Sequence, residues 1–107
     1  MVTNGSDEVW TTLSDTSRRA IVLRLAQRPH AVRELADALP ISRPAVSQHL
    51  KVLKDAGLVD EQAVGTRRIY RLNEVALVAL RDQLDTFWDR ALRGFEDLAD
   101  ETPEDDR

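Results

Sequence analysis

The residues best equipped for chemistry fall in two clusters. One runs through Ser42, Arg43, Pro44, Ser47, Gln48, Lys51 and Lys54; the other is Thr66, Arg67 and Arg68, just past Gly65 and followed by Arg71. Their chemistry is hydrogen bonding and charge. Gln pairs bidentately with adenine, Arg with guanine and Ser with either, while Lys and Arg neutralise phosphates. Covalent chemistry has no comparable set. The chain has no cysteine and only two histidines, which removes disulfides, thiolate metal ligands and a cysteine nucleophile together. With no glycine-rich phosphate loop, no Ser/His/Asp arrangement and no carboxylate pair placed for acid–base work, the sequence does not read as an enzyme.

The first cluster needs a helix to hold it, and the spacing predicts one over Arg43 to Ala56. Ser42 is its cap, Pro44 lies in the first turn where a missing N–H is harmless, and Gly57 supplies the left-handed stop. Val46, Leu50 and Leu53 form its apolar stripe. Arg43, Pro44, Ser47 and Gln48 therefore sit opposite, toward the N-terminal end, as base readers. Lys51 and Lys54 suit phosphates, and Ser42 supports the helix start. The second cluster needs a ribbon. After Gly57 the apolar period changes from 3.6 to 2, and Leu58 to Gln62 and Arg67 to Leu72 flank Val64, Gly65 and Thr66, which predicts a β-hairpin. Tyr70 and Leu72 share one face of its second strand, and Arg67, Ile69 and Arg71 share the other. Arginines at such a tip enter a minor groove or bind its phosphates.

Three further helices precede the reading helix. A short one covers Glu8 to Leu13, capped by Ser6 or Asp7; a second follows the cap Asp15 and ends near Arg28, before Pro29; a third spans Val32 to Leu39, closed by Pro40. Asn73 caps a last helix to about Ala99, roughly 26 residues or about 39 Å at 1.5 Å per residue. The expected class is mainly α with a small β-hairpin, in the order four helices, two strands, one helix: a dimeric winged helix-turn-helix. One domain spans residues 7–99, between flexible tails at 1–6 and 100–107, the latter acidic.

The overall charge argues the other way at first sight. Fifteen basic and nineteen acidic residues give −4, and phosphate binding is driven by cations. The distribution resolves this: residues 14–72 carry +5, while residues 1–13 carry −2 and residues 73–107 carry −7. The basic excess coincides with the two clusters. No signal-peptide pattern opens the chain, and its longest apolar run, Val75 to Leu80, is far short of a membrane span. The expectation is a cytoplasmic protein, on the nucleoid when bound, with no membrane association.

The last helix places Leu77, Leu80, Leu84, Phe87, Trp88, Ala91, Phe95 and Leu98 along one broad stripe. That exceeds what three short helices and a hairpin cover, and an exposed patch of that length is a liability. A two-fold partner is the economical answer.

Ser42-Arg43-Pro44-Ala45-Val46-Ser47-Gln48-His49-Leu50-Lys51-Val52-Leu53, then Ala56-Gly57-Leu58-Val59 and the Gly65-Thr66-Arg67-Arg68-Ile69-Tyr70-Arg71-Leu72 wing, resembles the ArsR/SmtB family of bacterial transcriptional repressors. Leu13-Ser14-Asp15-Thr16-Ser17-Arg18-Arg19-Ala20-Ile21 resembles that family's second-helix signature, with Thr16 where proline is usual. The resemblance, over about residues 8–98, implies a homodimer on an inverted-repeat operator that blocks transcription, often of its own operon. It also implies that the first and last helices meet their mates, so that Val9, Trp10 and Leu13 join Leu84, Phe87, Trp88, Ala91 and Phe95 in the interface.

The family's metal sites do not carry over. The third-helix cysteine pair of the arsenic and cadmium sensors falls at Ala31 and Arg33, and no histidine follows His49. The acidic residues there, including Asp82, Asp85, Asp89, Glu96 and Asp97, offer oxygen donors for a hard cation, on what reads as a solvated helix. No metal or cofactor is expected. His49 reads as a packed or backbone-supporting residue and His30 as an exposed turn residue. Two alternatives stay open: a winged-helix module whose basic face meets an acidic protein, and a repressor released by a small molecule whose identity the sequence does not disclose.

Overall fold

The computed structural model describes residues 5–101, with side chains from Glu8 to Asp100. The elements are α1 (Gly5–Thr12), α2 (Thr16–Gln27), β1 (His30–Ala31), α3 (Val32–Ala38), α4 (Arg43–Asp55), β2 (Val59–Val64), β3 (Arg67–Leu72) and α5 (Glu74–Glu101). The class is mainly helical with a small antiparallel hairpin. The chain divides into two compact units, residues 1–77 and residues 78–107.

In the first unit, side chains close the exposed helix N-termini. Asp15 accepts from the Arg18 amide at 3.0 Å; that bond, with the Arg18 guanidinium, holds its carboxyl below the usual range. Glu34 folds back to accept from the Ala31 amide at 2.8 Å at the start of α3. Ser42 accepts from the Ala45 amide at 3.3 Å at the start of α4, and Asn73 from the Ala76 amide at 2.9 Å at the start of α5. Each such cap satisfies a backbone donor the helix leaves unpaired. Gly57, at φ +82°, turns the chain out of α4 in the left-handed region that a side chain disfavours.

The core is small and centred on α4. Val46, Leu50 and Leu53 are fully buried, as are Leu35 of α3, Ile21 of α2, and Leu58 and Val59 at the entry to β2, and α4 packs against α2, α3 and β2. At about 1.5–3 kcal/mol for each such side chain removed from water, this stripe fixes which face α4 turns outward.

The sheet departs from expectation in one respect. It has three antiparallel strands in the order β1-β3-β2, because His30 and Ala31 pair with Tyr70 and Ile69 on the free edge of β3. Pairing there occupies an edge that would otherwise be open. His30 is consequently buried, not exposed, and its Nδ1 donates to the Arg28 carbonyl at 2.8 Å. The hairpin runs from Val59 opposite Leu72 to Val64 opposite Arg67, leaving Gly65 and Thr66 as the turn. Gly65 at φ +64° is the glycine that such a two-residue turn requires at its first central position. Ile69 and Tyr70 are both half-buried, so the two faces of β3 do not divide cleanly into core and solvent.

The helices extend into the segments read as tails: Gly5 and Ser6 belong to α1, and Asp100 and Glu101 to α5. Ser6 and Asp7 lie inside α1 and so neither is its cap. Residues 1–4 and 102–107 of the expected tails lie outside the described residues. In the second unit, every described side chain from Arg81 to Asp100 is exposed.

Candidate nucleic-acid interface

Because Val46, Leu50 and Leu53 anchor α4, its other face is displayed: Arg43, Pro44, Ser47, Gln48, Lys51 and Lys54 are all exposed. Arg43, Pro44, Ser47 and Gln48 occupy its first two turns, where backbone donors and the helix dipole also favour anions. Ser42 is committed as the cap. Leu39, whose amide donates to the Leu35 carbonyl at 3.0 Å, and Ile41, whose amide donates to the Leu39 carbonyl at 2.8 Å, shape the turn from α3 into α4. His49 is half-buried, and its Nδ1 lies 3.4 Å from Arg18 Nη1. Arg18 also donates from Nε to the Thr12 carbonyl at 2.8 Å. Arg19 bonds the Leu13 and Ser14 carbonyls at 3.0 and 3.1 Å. Two arginines of the basic segment are thus structural ties for α1, α2 and α4.

The wing stands beside the reading helix. Arg43 of α4, Ala31, Val32 and Arg33 around the start of α3, and Thr66, Arg67 and Arg68 of the wing line one cleft of about 350 Å³. Four arginine residues therefore line one concave surface. The sequence named Arg33 only as a position of the family's metal-binding cysteines and not as a DNA contact; the signal was its place two residues after the buried His30–Ala31 pair, which only the third strand makes legible.

Carboxylates already hold several of these cations. Lys51 Nζ lies 3.2 Å from Asp55, and Arg67 Nη2 lies 3.5 Å from Glu34, which also holds Arg28 at 3.4 Å. Glu61 is the hub: one carboxylate oxygen accepts from Lys54 Nζ at 2.6 Å, the other from Arg68, with the Tyr70 hydroxyl donating at 3.3 Å. The Lys54 bond, then the Arg68 bond, lowers the Glu61 pKa to about 2, and the same contact raises that of Lys54. Burial, then Glu61, raises the Tyr70 phenol. Sequence reasoning missed Glu61 and Glu34. Among the described residues, Arg33 and Arg43 have no acidic partner within 4.0 Å.

The profile of the family described as "Bacterial regulatory protein, arsR family" matches residues 15–61. The chain is 58% identical over 99 residues to the HTH-type transcriptional regulator Rv2034 of Mycobacterium tuberculosis, covering 92% of each. The chain belongs to the ArsR family of bacterial regulatory proteins. Its fold matches the ArsR-like transcriptional regulator from Rhodococcus with a TM-score of 0.73 and 30% identity, covering 92% of this chain and 95% of that one. A second match, with a TM-score of 0.67 and 29% identity over 84% of this chain and 83% of the other, is the homodimeric winged helix-turn-helix DNA-binding domain Mb0332 from Mycobacterium bovis. This ArsR-family chain is thus a DNA-binding transcriptional regulator with a winged helix-turn-helix fold.

Two apolar surfaces also lie open. In the first unit, Trp10, Leu13, Val22 and Leu23 line a cleft of about 490 Å³; Trp10 is 42% and Leu23 68% exposed, and Val9 is half-buried. In the second unit, Leu84, Phe87, Trp88, Ala91, Leu92, Phe95 and Leu98 are all exposed. Phe87 and Trp88 meet edge to face, ring centroids 5.6 Å apart. Leu92, four residues past Trp88, extends the predicted stripe, and Leu23 is a further apolar residue that the sequence reading left out. No helix among the described residues is long and apolar enough to cross a membrane, and none of their His, Asp and Glu residues cluster in threes as a cation site.

Proposed function

We propose that this ArsR-family regulator is a repressor that binds an inverted-repeat operator as a homodimer. One α4 enters the major groove of each half-site, with Arg43, Pro44, Ser47 and Gln48 at base edges. Lys51 and Lys54 lie on phosphates, with Ser42 supporting them, and Thr66, Arg67 and Arg68 of the wing take the flanking backbone. The observation that carries this reading is the orientation of α4: its apolar stripe is wholly buried and its donor-rich face wholly displayed, beside a cleft lined by four arginines. Repression follows from occupancy, since a dimer spanning two adjacent grooves excludes polymerase from that segment.

The dimer places the α1 residues Val9, Trp10 and Leu13 and the α5 residues Leu84, Phe87, Trp88, Ala91 and Phe95 in the subunit interface. Six large apolar side chains of α5 between 42% and 71% exposed support this, because a patch of that extent marks an interaction surface. Two-fold symmetry then sets the reading helices about one DNA turn, roughly 34 Å, apart. Residues 7–99 act as one DNA-binding and dimerisation domain, which works in the cytoplasm on the nucleoid, carries out no catalysis and requires no cofactor.

The test pairs two variants on duplexes selected from the host genome. Gln48→Ala is expected to relax sequence preference, with a cost of about 1–3 kcal/mol on the selected site. Lys54→Ala is expected to weaken all duplexes alike and flatten the salt dependence by about one unit per subunit. Identical behaviour of the two variants overturns the division of roles. Failure of the wild type to bind any duplex at low salt favours an acidic protein as the partner of the basic face.

A further inference from the structure

The two cations assigned to phosphates at the junction of reading helix and wing, Lys54 and Arg68, already share an anion. Glu61 holds Lys54 at 2.6 Å through one oxygen and Arg68 through the other, while its own side chain is only 12% exposed. The Tyr70 hydroxyl fixes the second oxygen. The register explains the arrangement. Glu61 lies opposite Tyr70 and Ala63 opposite Arg68, so Glu61 and Arg68 are diagonal neighbours on one face, within reach of long side chains. Lys54, in the last turn of α4, reaches the same carboxylate from the helix. One acid therefore ties the reading helix to both strands of the wing and neutralises part of the charge it presents.

We infer that Glu61 is a specificity-determining residue: an internal stand-in for a DNA phosphate that orients Lys54 and Arg68 and lowers their attraction to DNA of arbitrary sequence. The inference rests on the proposed DNA-binding role. A phosphate engaging either cation must compete with a carboxylate already in place, and Glu61 then faces the duplex as an uncompensated negative charge. Non-specific binding is almost wholly electrostatic and bears this cost in full. At the operator, base contacts by α4 need Lys54 and Arg68 held in register, so the orientation that Glu61 provides offsets part of the cost there.

The test measures binding of the full chain to a selected duplex and to a random duplex of equal length, by fluorescence anisotropy across 50–300 mM salt. Glu61→Gln keeps the shape and removes the charge. Its slope of log affinity against log salt is expected to steepen by about 0.9 for each subunit on the duplex, which extrapolates at 0.1 M to about an eightfold gain per subunit and about a sixtyfold gain for the dimer. The random duplex should show that gain in full and the selected duplex less, so the ratio between them falls. Glu61→Thr, a side chain suited to strands, is the parallel variant should the first not fold.

Asp60→Asn removes the same charge one residue away, where the carboxylate accepts from Asn73 at 3.1 Å, and is expected to leave the slope near that of the wild type. Equal steepening by Asp60→Asn and Glu61→Gln, an unchanged slope in Glu61→Gln, or equal gains on both duplexes would overturn the inference. Those outcomes presuppose that the wild type binds DNA. A wild type that binds no duplex refutes the underlying DNA-binding role instead.

Discussion

Replacing Phe87 with alanine isolates what the open face of α5 contributes to assembly. Phe87 is 59% exposed, and alanine, the best helix former, leaves the helix itself intact. Full burial of such a side chain is worth about 1.5–3 kcal/mol, so burying the exposed fraction against a mate contributes about 1.5 kcal/mol per copy. Two-fold symmetry applies the change twice. The dimer should lose about 3 kcal/mol, roughly a hundredfold in its dissociation constant. Sedimentation velocity across a concentration series reads this directly, and circular dichroism checks that helix content is retained. Val64→Ala is the control, because Val64 is comparably exposed at 53% but lies in the wing. An unchanged dissociation constant for Phe87→Ala, or an equal loss for Val64→Ala, would refute the assignment of α5 to the interface.

The core, the caps and the ion pairs yield further expectations. Leu50→Ala empties a fully buried site and should cost about 2–5 kcal/mol in chemical denaturation, against about 1 kcal/mol for loss of the Ser42 cap in Ser42→Ala. Gly65→Ala places a side chain at φ +64°, which should cost about 1–2 kcal/mol and lower the thermal midpoint. The Glu61 pKa is lowered to about 2, so its contribution to stability is present above the ordinary carboxylate range and is lost as pH falls toward 2. The stability difference between the wild type and Glu61→Gln should therefore be constant above about pH 5 and shrink on acidification, measured as denaturation midpoints. Constancy down to pH 2 would show that Glu61 gains nothing from its ionised partners.

The reading helix was legible in the sequence because every signal agreed. A capping serine, a first-turn proline, a buried stripe at helical spacing and a terminal glycine all specify the same element over Arg43–Asp55. The hairpin was legible for a similar reason, although β2 begins at Val59 and reaches Val64, later than the apolar run implies. What escaped was what depends on pairing across sequence. β1 is two residues long, too short to show any period, and only its bond to β3 buries His30.

The carboxylate partners escaped for the same reason. Glu61 and Arg68 look like unrelated surface charges until the Gly65–Thr66 turn fixes the register that sets them diagonally across the hairpin. Glu34 reads as an ordinary first-turn acid, yet it serves the Ala31 amide, Arg28 and Arg67 together. The basic excess of residues 14–72 therefore overstates the free charge at the interface. Arg18 and Arg19 tie backbone carbonyls, and Lys51, Lys54, Arg67 and Arg68 arrive already paired.

In the proposed complex, two copies of α4 and its wing read duplex DNA in register. Hydroxyl-radical footprinting on a fragment selected from the host genome tests it most directly. The expected pattern is two protected half-sites of inverted sequence about 10 base pairs apart, centre to centre, each flanked by backbone protection from the wing and weakened in Gln48→Ala. A uniform footprint indifferent to sequence and to Gln48→Ala, or no protection at 50 mM salt, would contradict it.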